Sequence, residues 1–426
     1  MISGELLKEI ILSNREFILN QVSGIVKRES IHFPKDSNRV CVLYGVRRSG
    51  KTFILYDLFR ANSGKTLYID FEDERLGNFK VEDFELLKEV FLELNPGLIN
   101  QKKIFLFDEV QNISGWERFC RRVSERENTG VFVSGSSSRG MPLEIHTSLR
   151  GRSWSVEVTP FSFREYLAVK GVEAKNLIYT QGKITVKKHF KDFMRWGSFP
   201  EIILSQTQFE KNKILKEYLS SIFFRDLVER FKINNIHLLD VLVDELFSSF
   251  SRKFSLSFFY RKYKEKFPFS KDSLFAYYKD LLQSMLVLEV RKYAESAYKR
   301  MRNPAKIYLI DTGLAKRVIA ENAGWLLENI VFLELRKKYD DIYYFEEINE
   351  CDFIALKEGK LSAFQVCYDL NEGNREREIN GIISCCKNAK ISRGHILTFD
   401  QEEILKNEGI EINIMPVWKW LLSGDS

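Results

Sequence analysis

Residues 40–59 read VCVLYGVRRSGKTFILYDLF, and the order of features in that stretch decides the fold. An apolar run, Arg39–Tyr44, comes first. Gly45-Val46-Arg47-Arg48-Ser49-Gly50-Lys51-Thr52 follows and fits the pattern GxxxxGK[ST], and a segment of helical character opens at Phe53. Glycines let the backbone curl so that several N–H groups face one anion, and the positive end of the following helix faces the same point. Residues 45–53 are therefore read as a phosphate loop. Lys51 is placed to reach the β and γ phosphates of a nucleotide, and the Thr52 hydroxyl to hold Mg²⁺. The bland alternative, a glycine-containing strand–helix turn with no ligand, leaves the Lys-Thr pair at the helix start without a reason.

Outward from this loop, short apolar runs alternate with amphipathic segments. The runs are Thr66–Phe71, Lys103–Phe107, Gly130–Ser134 and Ser153–Val158, each bounded by polar or glycine residues. Runs of this length suit buried parallel strands, and the segments between them are long enough for crossover helices. The expectation is an α/β fold with a parallel sheet covered on both faces. The run Lys103–Phe107 ends in Asp108-Glu109. At a strand's C-terminal edge, where parallel sheets bind ligands, Asp108 would hold Mg²⁺ and Glu109 would polarise the attacking water. The next run leads into Gly135-Ser136-Ser137-Ser138, where Ser136 or Ser137 can meet the γ-phosphate. Arg150 or Arg152, in Ser148-Leu149-Arg150-Gly151-Arg152, suits charge developing on γ-phosphoryl oxygens. Either arginine could serve its own site or a neighbouring subunit's.

Composition sets bounds on the rest. At roughly 150 residues per domain, 426 residues suggest two to four domains. With 44% hydrophobic and 29% charged residues the chain is ordinary globular protein, which argues against long disorder. No apolar stretch approaches the ~20 residues of a membrane span, and the charged N-terminal run does not read as a signal peptide. The 6 cysteines show no CxxC spacing and do not make a disulfide scaffold, so a cytoplasmic setting is expected.

Charge is distributed unevenly. Residues 252–302 hold 13 Lys/Arg against 5 Asp/Glu, a surplus larger than the net +6 of the whole chain. Within this window a helix, a turn at Phe267-Pro268-Phe269-Ser270 and a second helix, Lys271–Ser284, precede two runs that alternate like a hairpin. The hairpin tip is expected at Tyr298–Asn303. That is the order of a winged helix. Lys271, Ser273 and Tyr277 would enter a major groove, and Lys299, Arg300 and Arg302 at the wing tip would meet the backbone of double-stranded DNA. Winged helices also serve as protein-interaction modules, and a charged face is often simply solvated.

Toward the C-terminus, Glu328 near a helix start, Asp352 at a strand start and Gln365-Val366-Cys367 in a further strand resemble the Glu…Asp…(Asp/Glu)-x-Lys pattern of restriction-endonuclease-like folds. In that pattern carboxylates hold Mg²⁺ and the lysine orients water. Here Gln365 carries no charge and Cys367 cannot replace the lysine. The expectation is the fold without the hydrolysis.

GVRRSGKT, DEVQNISGWERF, VSGSSS and LRGRSWSVEVTPFSFREYL together look like the AAA+/STAND-type P-loop ATPases of archaea and bacteria, in particular those with a C-terminal domain of unknown function. Trp196-Gly197-Ser198-Phe199-Pro200-Glu201 is similar to the helical-lid motif of that group, which makes Pro200 a nucleotide-contact candidate. The resemblance implies a sheet order of 5-1-4-3-2, ATP rather than GTP, and Arg152 near the arginine-finger position. The resulting expectation is an ATPase domain over residues 1–160, a helical lid over 161–235, a winged-helix-like domain over 236–315 and a restriction-endonuclease-like domain over 316–426. ATP and Mg²⁺ would drive conformational work on the attached domains, with DNA as client. Two other readings stay open: a STAND-like scaffold gated by nucleotide and binding a protein partner, with or without self-association, and an ATP-regulated nuclease.

Overall fold

The computed structural model describes residues 2–29, 31–34, 38–136, 149, 151–173, 180–294, 296–318 and 322–423. The chain divides into two compact units, Met1–Pro160 and Phe161–Ser426.

In the first unit five strands, β1 (Val40–Gly45), β2 (Thr66–Asp70), β3 (Lys103–Asp108), β4 (Thr129–Ser136) and β5 (Ser153–Glu157), form one sheet in the order β2-β3-β4-β1-β5. Every pairing is parallel, which requires a crossover between successive strands. Helices α1 (Gly4–Asn20), α2 (Lys51–Ala61), α3 (Asp83–Leu94) and α4 (Trp116–Arg126) cover it. Because successive strand residues point to opposite faces, β1 to β4 carry apolar side chains on both sides and feed two cores. Val40, Val42, Leu67, Ile69, Phe105, Phe107, Val131 and Val133 pack with α1, α3 and α4. Leu43, Tyr68, Leu106 and Val158 pack with Ile54, Leu55 and Phe59 of α2. The aromatic cluster of Phe71, Phe79, Phe84, Phe107 and Phe119 stacks within the first core. Among the described residues before β1 there is one helix, α1, which ends at Asn20.

The second unit opens with helices Phe163–Val169, Thr180–Trp196, Pro200–Leu204 and Gln208–Ser221, the last running into a π-helical segment, Ile222–Glu229. Nine strands follow: β6 (Arg252–Phe254), β7 (Val287–Lys292), β8 (Ala305–Leu309), β9 (Asp341–Glu346), β10 (Glu350–Lys357), β11 (Lys360–Val366), β12 (Arg393–Thr398), β13 (Glu403–Asn407) and β14 (Ile410–Pro416). They make a mixed sheet in the order β13-β14-β12-β11-β10-β9-β7-β8-β6. The sheet runs across residue 315: β7 pairs with β9 through Arg291↔Tyr343 and Lys292↔Tyr344. Helices Leu256–Tyr263 and Lys271–Gln283 precede β7, and the Ser270 side chain accepts from Ser273 N at 2.9 Å to cap the second. β7 and β8 pair antiparallel, as the expected hairpin requires, from Val287↔Leu309 to Val290↔Lys306; the difference lies at its tip. A short helix, Ala297–Arg302, capped by Ser296, occupies the place read as a wing tip. Ser296 supplies a side-chain acceptor for a free N–H, and that local bond closes a helical turn where strand alternation alone suggested a loop. No helix among the described residues is long and apolar enough to cross a membrane.

Candidate functional site: a phosphate loop facing an acidic sheet edge

The loop between β1 and α2 is shaped by close approach. Gly45 has φ 156°, and a Cβ there would lie 2.1 Å from the Val158 carbonyl oxygen, so no side chain fits. Gly50 has φ 98° and caps α2 in a left-handed conformation that a side chain would strain. Val46 is buried, and Arg48 has a positive φ of 65°. Inside the curl, Lys51 Nζ donates to Gly45 O at 2.9 Å and Val46 O at 3.2 Å. The Ser49 hydroxyl is fully buried with no hydrogen-bond partner among the described residues, which suits a loop whose polar atoms are completed by an anion. Arg47 pairs with Glu72 at 3.7 Å, and Phe53 is exposed on α2.

Facing the loop, β2 and β3 end side by side, with Asp70 in register with Asp108. Asp108 is buried and accepts from Tyr68 Oη at 3.2 Å, from the Ser134 hydroxyl, from Glu109 N at 3.2 Å and from Thr52. Burial pushes its carboxyl up, and the Glu109 charge adds to this; Ser134, Thr52 and Lys51 oppose them. Asp70 is pushed up to about 6, first by burial and then by Asp108, Glu72 and Glu109, against the backbone N–H of Glu72. Asp70 and Asp108, both pushed up side by side at this edge, are carboxyls whose charge a cation would stabilise. Glu109 takes a left-handed φ of 48°, which turns its side chain out of the strand line, and the Gln111 amide donates to its carboxylate.

Thr52 and Asp108 supply hard oxygen donors already in contact, the chemistry Mg²⁺ takes. Among the described residues no three His, Cys, Asp or Glu side chains gather as a complete metal cage. A cation here would therefore draw its remaining ligands from phosphate oxygens and water, as Mg²⁺ commonly does.

The other predicted residues fall in several places. Ser136 ends β4 in register with Gly45, beside the loop. Ser137 and Arg150 lie outside the described residues. Arg152 lies at the opposite end of the sheet: its carbonyl accepts from Val40 N, at the start of β1, and its side chain pairs with Glu125 on the surface. The length of β1 sets it roughly 16 Å from Gly45, which denies it the role at its own phosphate loop. Sequence reasoning gave no role to Tyr68, Asp70, Gln111 and Ser134, although Gln111 and Ser134 lie within DEVQNISGWERF and VSGSSS. It also missed Arg28, a buried residue of the segment before β1, which donates to Ser49 O at 3.0 Å and Thr159 O at 2.6 Å.

In the second unit, Pro200 opens its helix beside a locked turn. Asp311 accepts from Ser198 N at 2.7 Å, Ser198 Oγ at 2.9 Å and Gly313 N at 2.8 Å. A Cβ on Gly197 would lie 1.7 Å from Asp311 Oδ1, so Gly197, Ser198 and Asp311 form one unit. The nucleotide-contact reading of Pro200 gains no support from these contacts.

Glu328, Asp352 and Gln365 do converge, and with them comes a lysine that the motif lacked. Lys306 of β8 is buried and reaches Asp352 Oδ1 at 2.7 Å, Glu350 Oε1 at 2.9 Å and Glu328 Oε1 at 3.3 Å. Tyr308 Oη donates to Glu328 at 2.7 Å. Gln365 accepts from Asp352 N at 3.1 Å and donates to Glu378 at 2.5 Å. Glu328 is pushed up to about 8 by burial and by Asp352, against Lys306 and Tyr308.

The basic window is less bare than its count suggests. Lys253 pairs with Glu346 and Glu350, Lys262 with Glu245, and Arg291 with Glu289. Tyr277 Oη accepts from Asn235 N at 3.1 Å. Lys271 lies over the exposed ring of Phe275 at 5.8 Å, and Ser273 sits in the first turn behind the Ser270 cap. Lys299, Arg300 and Arg302 lie on the short helix that joins β7 to β8. Arg300 donates to Ala294 O, and Arg302 covers Tyr298 at 5.3 Å.

The fold and loop define the first unit as a P-loop NTPase domain of the AAA class. The family model described as an AAA domain matches residues 37–167, and two models described as domains of unknown function, DUF8612 and DUF4143, match 187–323 and 323–420. The chain belongs to the same family as the uncharacterized protein MJ1544 of Methanocaldococcus jannaschii, with which it is 34% identical across 98% of this chain and 95% of the relative. An uncharacterized protein of Haemophilus influenzae is 27% identical over 81% of this chain and 86% of its own length. Among solved structures, the Aeropyrum pernix ORC1 protein in complex with DNA matches 75% of this chain and 98% of its own at 13% identity, with a TM-score of 0.29.

Proposed function

We propose that the protein binds MgATP at the β1–α2 loop and hydrolyses it, and that the cycle rearranges Phe161–Ser426. The observation that carries this is the pairing of a glycine-curled loop holding the buried Lys51 with the Thr52–Asp108 contact opposite. Loop N–H groups and Lys51 bind the phosphates. Mg²⁺, when bound, neutralises β and γ oxygens beside Thr52 and Asp108. Glu109, oriented by Gln111, aligns a water whose oxygen attacks the γ-phosphorus, while the bond to the β–γ bridging oxygen breaks to leave ADP and phosphate. Calorimetry of the full chain with MgATP tests it: binding heat and phosphate release are expected, and no heat would overturn the reading.

Arg152, remote from its own loop, is left with a neighbouring subunit's nucleotide. ATP turnover per chain would then rise with protein concentration and flatten in Arg152→Ala.

The carboxylates of the nuclease-like pattern are occupied by Lys306, which favours a restriction-endonuclease-like segment without hydrolysis. Mg²⁺-dependent plasmid cleavage lost in Asp352→Ala would reverse that view. Double-stranded DNA binding rests on the helix pair before β7, read as a winged helix, and on Lys271, Lys299 and Arg302. Affinity should fall steeply between low and physiological salt; no binding at low salt would leave the ATPase with a protein client.

A further inference from the structure

Behind Asp108 lies a pair of tyrosines that no phosphate-loop motif requires. Tyr56 lies on α2 four residues after Thr52, so the two share a helix face. Tyr68 lies on β2, is 4% exposed, and is hydrogen-bonded to Tyr56, with ring centroids 5.3 Å apart at 61°. Tyr68 donates its one hydroxyl proton to Asp108 Oδ2 at 3.2 Å. Tyr56 packs edge-on against the Tyr68 ring, so the pair runs from α2 through Tyr68 to Asp108.

The two carboxylate oxygens are held differently. Oδ1 accepts from the Ser134 hydroxyl and Glu109 N, and Oδ2 from Tyr68. Thr52 also donates to this carboxylate. Thr52 and Asp108 would hold the cation through their oxygens, and the Thr52 hydroxyl would then no longer donate to the carboxylate. The link between the phosphate-loop helix and Asp108 would run through the phenol of Tyr68. Partners that fix a metal-binding carboxylate in this way tune metal affinity.

We propose that Tyr68, braced by Tyr56, is a positioning residue that holds Asp108 aimed at the cation of MgATP once Thr52 has released it. The role rests on the MgATP reading above. It separates two properties the bare motif leaves together: the loop grips phosphate, and the tyrosine pair sets the response to metal.

Tyr68→Phe keeps the ring and removes the hydroxyl. The Mg²⁺ concentration for half-maximal hydrolysis at saturating ATP should rise about 10-fold or more. Mn²⁺ binding to the ADP complex, followed by electron paramagnetic resonance, should weaken by the same factor. ADP binding in EDTA should match the wild type. Tyr56→Phe should move both metal readouts the same way by less, and it carries the test if Tyr68→Phe does not fold. Unchanged metal dependence in the variants would overturn the proposal, as would an equal loss of metal-free ADP binding, the mark of a purely structural role. Failure of the underlying reading looks different: the wild type itself would give no MgATP heat.

Discussion

Lys51 Nζ lies 2.9 Å from the carbonyl oxygen of Gly45, so the last turn of the phosphate loop is tied to its first residue by a charged donor. The ammonium is held at the centre of the curl, where a phosphate would meet it. Lys51→Ala should abolish MgATP binding in calorimetry. Glu109→Gln should bind MgATP as the wild type does and hydrolyse it roughly 10² to 10⁴ times more slowly. A Glu109→Gln variant with full turnover would move the water-orienting role to another residue.

Gly45 is fixed by its neighbour as well as by its conformation. A methyl group placed there would meet Val158 O at 2.1 Å, and β1 and β5 would have to separate. Gly45→Ala should destabilise the first unit by about 1–3 kcal/mol and weaken nucleotide binding with it. Thermal unfolding with and without MgATP checks both; wild-type stability would show that the strands can part cheaply.

Buried Lys306 offsets the buried carboxylates of Glu328 and Asp352 and the exposed one of Glu350. Lys306→Met should cost about 3–5 kcal/mol, because Asp352 is left as an uncompensated buried charge. Adding Asp352→Asn should restore part of that loss. Denaturant unfolding of the single and double variants measures the coupling, and purely additive losses would mean that the pair contributes nothing as a pair.

His395 stacks on Phe364 at 5.1 Å, and its Nδ1 is buried without a hydrogen-bond partner among the described residues. Burial lowers its pKa below the ordinary 6.5, and Arg393 adds to this. The folded state resists the protonation that the unfolded chain accepts. The stability this gives is full above 6.5 and declines as pH falls through it toward the lowered value. Wild type should therefore lose stability relative to His395→Phe between pH 7 and 5. Parallel pH profiles for the two would assign the acid response to other groups.

Much of the first unit was legible because its signals are local. A six-residue apolar run before a glycine-lysine-threonine turn needs no distant partner to be read as strand, loop and helix. The acidic pair at the end of β3 could be placed because parallel sheets bind ligands at that edge. Tyr68, Asp70 and Ser134 read as ordinary strand residues; only the pairing of β2, β3 and β4 brings them to Asp108. The short helix at Ala297–Arg302 was misread because a serine cap outweighed the alternation around it.

By itself the amino-acid order determined the nucleotide loop, the parallel α/β character around it and the absence of a long apolar span, since each depends on periodicity or on a few adjacent residues. The tertiary structure decided what depends on distant segments meeting. Arg152 was carried to the far end of the sheet because β1 and β5 run in register from Val40 and Ser153. Lys306 was delivered to Glu328 and Asp352 because β8 lies beside the helix Ala323–Lys338 and near β10. Burial then fixed the charges: carboxylates removed from water must be paired or protonated, and which of these occurs is set by neighbours far away in the chain.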